Sequence, residues 1–119
     1  MPLLFVFLML ATNSPVLTVP IIDPIEIQKN IFINKLIDCE SGGNEKIKVL
    51  DTDGYYSYGL GQFHMATWLK YGKELGTTRA NIFDGELQRE VIRQMLDDGG
   101  ASHWYVCSKV ARKVVGAYQ

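Results

Sequence analysis

The stretch DPIEIQKNIFINKLIDCESGG, residues 23–43, carries every signal of one long helix and constrains the fold more than any other part of the chain. Asp23 is placed to be the N-cap, Pro24 takes the first helical position with its φ already set, and Glu26 follows the cap at capping-box spacing. Ile25, Phe32, Leu36 and Cys39 recur near the helical period, and Ile33 and Ile37 widen the stripe. Gly42 and Gly43 supply the stop. A helix with one apolar face needs cover from the rest of the chain, and 119 residues leave room for a single domain around it.

The remaining punctuation fills in that domain. Residues 50–63 alternate too loosely for a helix and hold Gly54, Gly59 and Gly61, with a turn signal at Asp53-Gly54, so they read as a short β-hairpin or irregular ribbon. HMATWLKYG reads as a short helix ending at Gly72. Asp84 is placed to cap a helix over GELQREVIRQMLDD, with Leu87, Val91 and Met95, or Ile92 and Leu96, turned inward. The tail from Trp104 to Val115 is weakly amphipathic, and its Lys109, Arg112 and Lys113 read as a solvated face. The expected class is α+β, mainly helical, with one small β-hairpin.

Residues 1–22 read differently. Leu3 to Ala11 is an apolar run too short to cross a bilayer as a helix but suited to a secretory signal, although no Lys or Arg precedes it. The competing reading is an apolar helix tucked into the core. Pro15, Pro20 and Pro24 make the following residues an extended linker. Residues 1–22 are therefore expected to be a signal-like or membrane-anchor segment with its linker, residues 3–11 a possible tether, and residues 23–119 the folded unit. A net charge of −1 and a pI near 6.1 give no basic field for nucleic acid, which leaves glycan or protein partners. Cys39 and Cys107 are the only cysteines. In an exported domain of this size an even count suggests a bridge, whereas in a reducing compartment both would be buried thiols. No CxxC or Cys/His cluster is present, His64 and His103 lie far apart, and neither a metal nor a cofactor is expected.

Glu40 is the strongest candidate for chemistry. A carboxylate in the last turn of a helix faces the negative end of the macrodipole, and a neighbouring apolar face desolvates it; both favour the protonated form a general acid needs. The plainer alternative is that Glu40 faces solvent or caps a loop amide.

CESGGN at residues 39–44, followed by DGYY, GLGQF and TW, resembles the catalytic domains of resuscitation-promoting factors and the wider lytic transglycosylase family. HWYVCSK at residues 103–109 resembles the tryptophan and cysteine that close those domains. The resemblance implies a lysozyme-like fold, Glu40 as catalytic acid/base, a Cys39–Cys107 disulfide, and Gln62 as a cleft residue, with Trp68 matching the TW. The spacing from Glu40 to Gln62 is a few residues longer here than in those families, and the extra residues fall in the ribbon. DTDGYYSYGLG, residues 51–61, is in turn similar to the DTEGYYTIGIG hairpin of phage-type lysozymes. That match implies Asp51 as a second carboxylate and Ser57, in place of Thr, as its helper in placing a water. Gln62 stands where those lysozymes have His. The plainer reading is that Asp51 and Asp53 bond backbone amides and shape the turn.

DTDG also begins like a calcium loop, but Tyr55, Tyr56 and Gln62 occupy the positions that need a third ligand, a glycine and a glutamate. Tyr55, Tyr56, Tyr58, Trp68 and Trp104 are aromatics of the type that stacks on sugars. Trp68 and Trp104 read as core, while Tyr56 and Tyr58 stand between core and cleft.

The expected function is cleavage of the β-1,4 bond between N-acetylmuramic acid and N-acetylglucosamine in peptidoglycan, by a monomer acting outside the cytoplasm. In a transglycosylase route Glu40 protonates the leaving oxygen and then, as base, lets the muramyl hydroxyl close on the anomeric carbon. In a hydrolytic route Asp51 and Ser57 deliver water. A third possibility, from another class, is a lysozyme-fold protein that binds glycan or inhibits an enzyme without cutting.

Overall fold

A computed structural model describes residues 20–116, in which the helical signals of residues 23–43 become α1, Pro24–Ser41. The chain continues through β1 (Lys48–Leu50), β2 (Tyr56–Tyr58), α2 (Met65–Tyr71), a 3-10 turn at Lys73–Leu75, α3 (Gly85–Asp97), a second at Ala101–Trp104, and α4 (Tyr105–Val115). The two strands form one antiparallel sheet, so the class is α+β and mainly helical, as expected. The hairpin begins at Lys48, two residues before the ribbon read from the glycines, because its pairing continues past the polar turn. The tail, expected to be only weakly amphipathic, is a regular helix that buries Cys107, Ser108 and Ala111. The proposed leader and tether, residues 1–22, lie almost wholly outside the described residues. Among the described residues, no helix is long and apolar enough to cross a membrane.

α1 is closed as its sequence requires. Asp23 Oδ1 accepts from the Ile25 amide, and Gly42 takes φ +64° while its N–H reaches Asp38 O. Phe32, Ile33, Leu36 and Ile37 are its buried face, but Ile25, read as part of the stripe, is 51% exposed. The reason is length. α4 runs back along α1 from the Cys39–Cys107 bridge, and its last carbonyl, at Val115, accepts from Gln28 Nε2; the first turn of α1 therefore extends beyond its cover.

The core joins that face of α1 to Leu60, Phe63, Trp68 and Ile82, to Val91, Ile92, Met95 and Leu96 of α3, and to Trp104 and Ala111. Trp68 is fully buried and its indole N–H donates to Thr78 O at 2.9 Å; the Trp104 indole donates to Gly61 O at 2.7 Å. Both tryptophans thus serve the core, and each clamps a loop: Trp68 the one that leads into α3, Trp104 the turn that follows the hairpin.

The buried amide of Gln88 ties three segments together. Its Oε1 accepts from Leu60 N at 2.9 Å, and its Nε2 donates to Glu45 O and Ile82 O at 3.0 and 2.6 Å. Gly59, at φ +70°, lies against it, and a Cβ there would sit 2.3 Å from Gln88 Nε2. Gln88→Leu keeps the volume but strands the buried Leu60 N–H and Ile82 carbonyl without a partner. It is expected to cost roughly 3 kcal/mol, read as a lowered urea midpoint at unchanged slope. A midpoint within error of wild type would show that the amide is not what holds the hairpin to α3.

Candidate active site

The hairpin register determines which side chains meet. Lys48 pairs with Tyr58, Val49 with Ser57 and Leu50 with Tyr56, and the Asp51 amide donates to Tyr55 O at 2.9 Å to close the turn. Beyond β2 the chain turns tightly through Gly59–Gln62 and pairs again, with Tyr58 and Phe63 exchanging two backbone hydrogen bonds of 2.9 Å. Strand side chains alternate faces, so Ser57 and His64, flanking that bridge, fall on one side together with Asp51.

They meet there. Asp51 Oδ2 accepts from Ser57 Oγ and, at 2.9 Å, from His64 Nε2. The Asp51 carboxyl is held below the usual carboxylate range, first by the Ser57 hydrogen bond and then by that from His64, against an opposing effect of burial. Asp53 behaves as the plainer reading said: its Oδ1 accepts from the Tyr55 amide at 2.9 Å. Asp51 does not, since its carboxyl is engaged by side chains.

Glu40 stands half-buried in the last turn of α1, where no basic residue offsets the helix dipole. Burial raises its pKa, and the negative charge of Asp51 raises it further. The two carboxyls therefore share one field while their environments push their titrations apart. One is suited to give a proton and the other to stay ionised, the pairing that glycoside chemistry uses.

The other anticipated residues are placed less directly. Tyr56 and Tyr58 lie on the hairpin face opposite Ser57, where the Lys48 ammonium sits 4.2 Å from the Tyr56 ring and Tyr58 meets Phe83 edge-on at 5.8 Å. Gln62 adopts φ +51° and its Nε2 donates to Gly59 O at 3.1 Å, so it holds its own turn. It also lines a cavity of about 220 Å³ with His64, Thr67, His103 and Trp104. Cys39 and Cys107 are joined in a disulfide, with a Cα–Cα distance of 5.6 Å.

His64 is the residue that sequence reasoning passed over, because it was weighed only as a metal ligand. Its signal was the tight turn ending at Phe63, which puts residue 64 across from residue 57. The fold also brings ligand atoms of Asp51, Asp53 and His64 within 4.8 Å of one another, a grouping that loop spacing alone does not reveal. Every one of the three is engaged in a hydrogen bond to a protein group.

A family model described as "Transglycosylase-like domain" matches residues 28–107, which is 80 of the 119 residues and includes Glu40, the hairpin and both cysteines. No curated protein and no solved structure matches the chain.

Proposed function

The chain belongs to the transglycosylase-like domain family of the lysozyme-like superfamily, and on that premise we propose that it cleaves the β-1,4 bond between N-acetylmuramic acid and N-acetylglucosamine, with Glu40 as the acid/base. The observation that carries this reading is the place of Glu40, a half-buried carboxyl in the last turn of α1 beside the Asp51 charge, where burial and that charge favour its protonated form. Protonated Glu40 donates to the glycosidic oxygen as the bond to the anomeric carbon breaks. In the transglycosylase route its carboxylate then takes the proton of the muramyl hydroxyl as that oxygen closes on the anomeric carbon, and no water is consumed.

A second reading, hydrolysis, is favoured by one specific observation: Asp51 is kept ionised by Ser57 and His64. A carboxylate with that support suits the activation of water on the face opposite the acid. Digestion of purified peptidoglycan separates the routes, since 1,6-anhydro ends are one water lighter than reducing ends. Asp51→Asn is expected to leave a transglycosylase largely active and to lower a hydrolase's rate on the order of 10²-fold or more. A glycan binder without activity would bind peptidoglycan and release no soluble fragment, and that outcome would overturn both routes.

The folded unit is taken as residues 23–119, acting outside the cytoplasm. The disulfide supports that location, because such bridges persist where the surroundings are oxidising.

A further inference from the structure

We propose that His64 is the positioning residue of Asp51, fixing its carboxylate so that Oδ1 faces the attacking water. This role rests on the hydrolytic reading of the site. In that step the Glu40 proton goes to the leaving glycosidic oxygen as its bond to the anomeric carbon breaks. Water forms the new bond to that carbon and passes a proton to Asp51 Oδ1, so atoms and charge balance.

Three observations carry the proposal. The first is that the two donors converge on a single oxygen: Ser57 Oγ and His64 Nε2 both address Oδ2, and Oδ1 has no hydrogen bond among the described residues. With one donor from β2 and one from the start of α2 the carboxylate cannot rotate without breaking a bond, and only Oδ1 is left to accept a proton. Ser57 alone would leave that rotation open.

The second is that the backbone delivers His64 to this place. It directly follows the Tyr58–Phe63 bridge and is the N-cap residue of α2, its carbonyl accepting from Trp68 N at 3.0 Å. N-caps favour Ser, Thr, Asp and Asn, whose side chains close the first turn. His64 makes no side-chain cap bond. The position gives up helix stability, and what its side chain does instead is hold Asp51.

The third is that the imidazole is itself held. The Tyr55 ring stacks on it with centroids 5.9 Å apart and an interplanar angle of 30°. The ionisable groups that face it are Asp51, Asp53 with Oδ2 at 4.0 Å, and Tyr55, and His103 lines the same cavity. Since ionised Asp51 can only accept, the Nε2 position carries the proton.

The test compares kcat and KM across pH on soluble glycan-strand fragments for the full chain and for His64→Phe, His64→Gln and Asp51→Asn. Phenylalanine preserves the stack on Tyr55 and removes the donor; glutamine restores an N–H of similar reach. Because positioning supplies part of what a general base contributes, His64→Phe is expected to lower kcat about tenfold, with KM little changed. The acid limb of its pH profile should move to higher pH, because Asp51 has lost a donor that favours its ionised form. Glutamine should recover most of kcat. If Asp51→Asn is inactive while His64→Phe keeps both kcat and the acid limb of wild type, His64 does not position Asp51 and the hydrolytic reading survives. If Asp51→Asn retains its rate, the hydrolytic reading fails and the role of His64 fails with it.

Discussion

Glu40→Gln is expected to abolish glycan cleavage while making the protein more stable near neutral pH. The activity loss follows from the role proposed for the group: both proposed routes begin with a proton from Glu40, and an amide has none to give at any accessible pH. General acid catalysis contributes about 10²–10⁴-fold, so the fall should be on the order of 10³-fold whichever product forms. Glutamine is nearly the size of glutamate, so substrate affinity should change little.

The stability gain follows from the direction of the pKa shift. Folding raises the pKa of Glu40, through burial and then through the Asp51 charge, so the folded chain disfavours the carboxylate relative to the unfolded chain. Below the unfolded pKa the side chain is neutral in both states and contributes nothing. Between the unfolded and the folded pKa the penalty grows as pH rises, and above the folded pKa it is complete. Replacement by a neutral amide removes it and also relieves the repulsion felt by Asp51. Melting temperatures should therefore coincide near pH 4 and separate in favour of Glu40→Gln by pH 8. Wild-type activity should be lost on the alkaline side as folded Glu40 ionises, at the upper end of the interval in which the melting curves diverge. An active Glu40→Gln protein would remove Glu40 from the mechanism, and a destabilised one at pH 8 would mean that the carboxylate is satisfied rather than strained.

The parts of the fold legible in the sequence are those fixed by short-range chemistry. Asp23, Pro24 and Gly42 mark α1, and Asp84 marks α3 through its bond to the Leu87 amide, because caps act within three residues. Glu40 was legible for the same reason, since its helix end and its apolar face are both local. The register-dependent features were not. Whether Ser57 meets Asp51 or the opposite face depends on Val49 being its partner, and that pairing extends two residues beyond the polar turn. Tyr56 and Tyr58 drew attention as aromatics near the site, yet alternation along β2 sends them to the Lys48 side. His64 lies 13 residues from Asp51, and a second hairpin turn had to be counted before the two could be set together. The length of α4 decided which part of the α1 stripe is buried, and neither helix specifies that alone.

The bridge between Cys39 and Cys107 is expected to contribute about 4 kcal/mol, since it removes loop-closure entropy from an unfolded chain in which the joined residues are 68 apart. Urea unfolding of the oxidised protein and of the Cys39→Ser/Cys107→Ser variant should differ by roughly that amount, and equal midpoints would show that the closed loop restrains little in the unfolded state. Thiol labelling under denaturing, non-reducing conditions should modify neither cysteine in protein taken from its native compartment. The bridge is also expected to act on the proposed chemistry, because Cys39 is adjacent to Glu40 and lies in the same last turn of α1, where helices fray. Tied to α4, that turn keeps Glu40 half-buried. Cut loose, the turn admits water, the desolvation that raises the Glu40 pKa is reduced, and the carboxyl ionises at lower pH. At a temperature where the variant remains folded, its alkaline limb should therefore move toward lower pH while its acid limb stays in place. A limb that does not move would separate the two roles of the bridge, leaving it to hold the domain together without setting the proton affinity of Glu40.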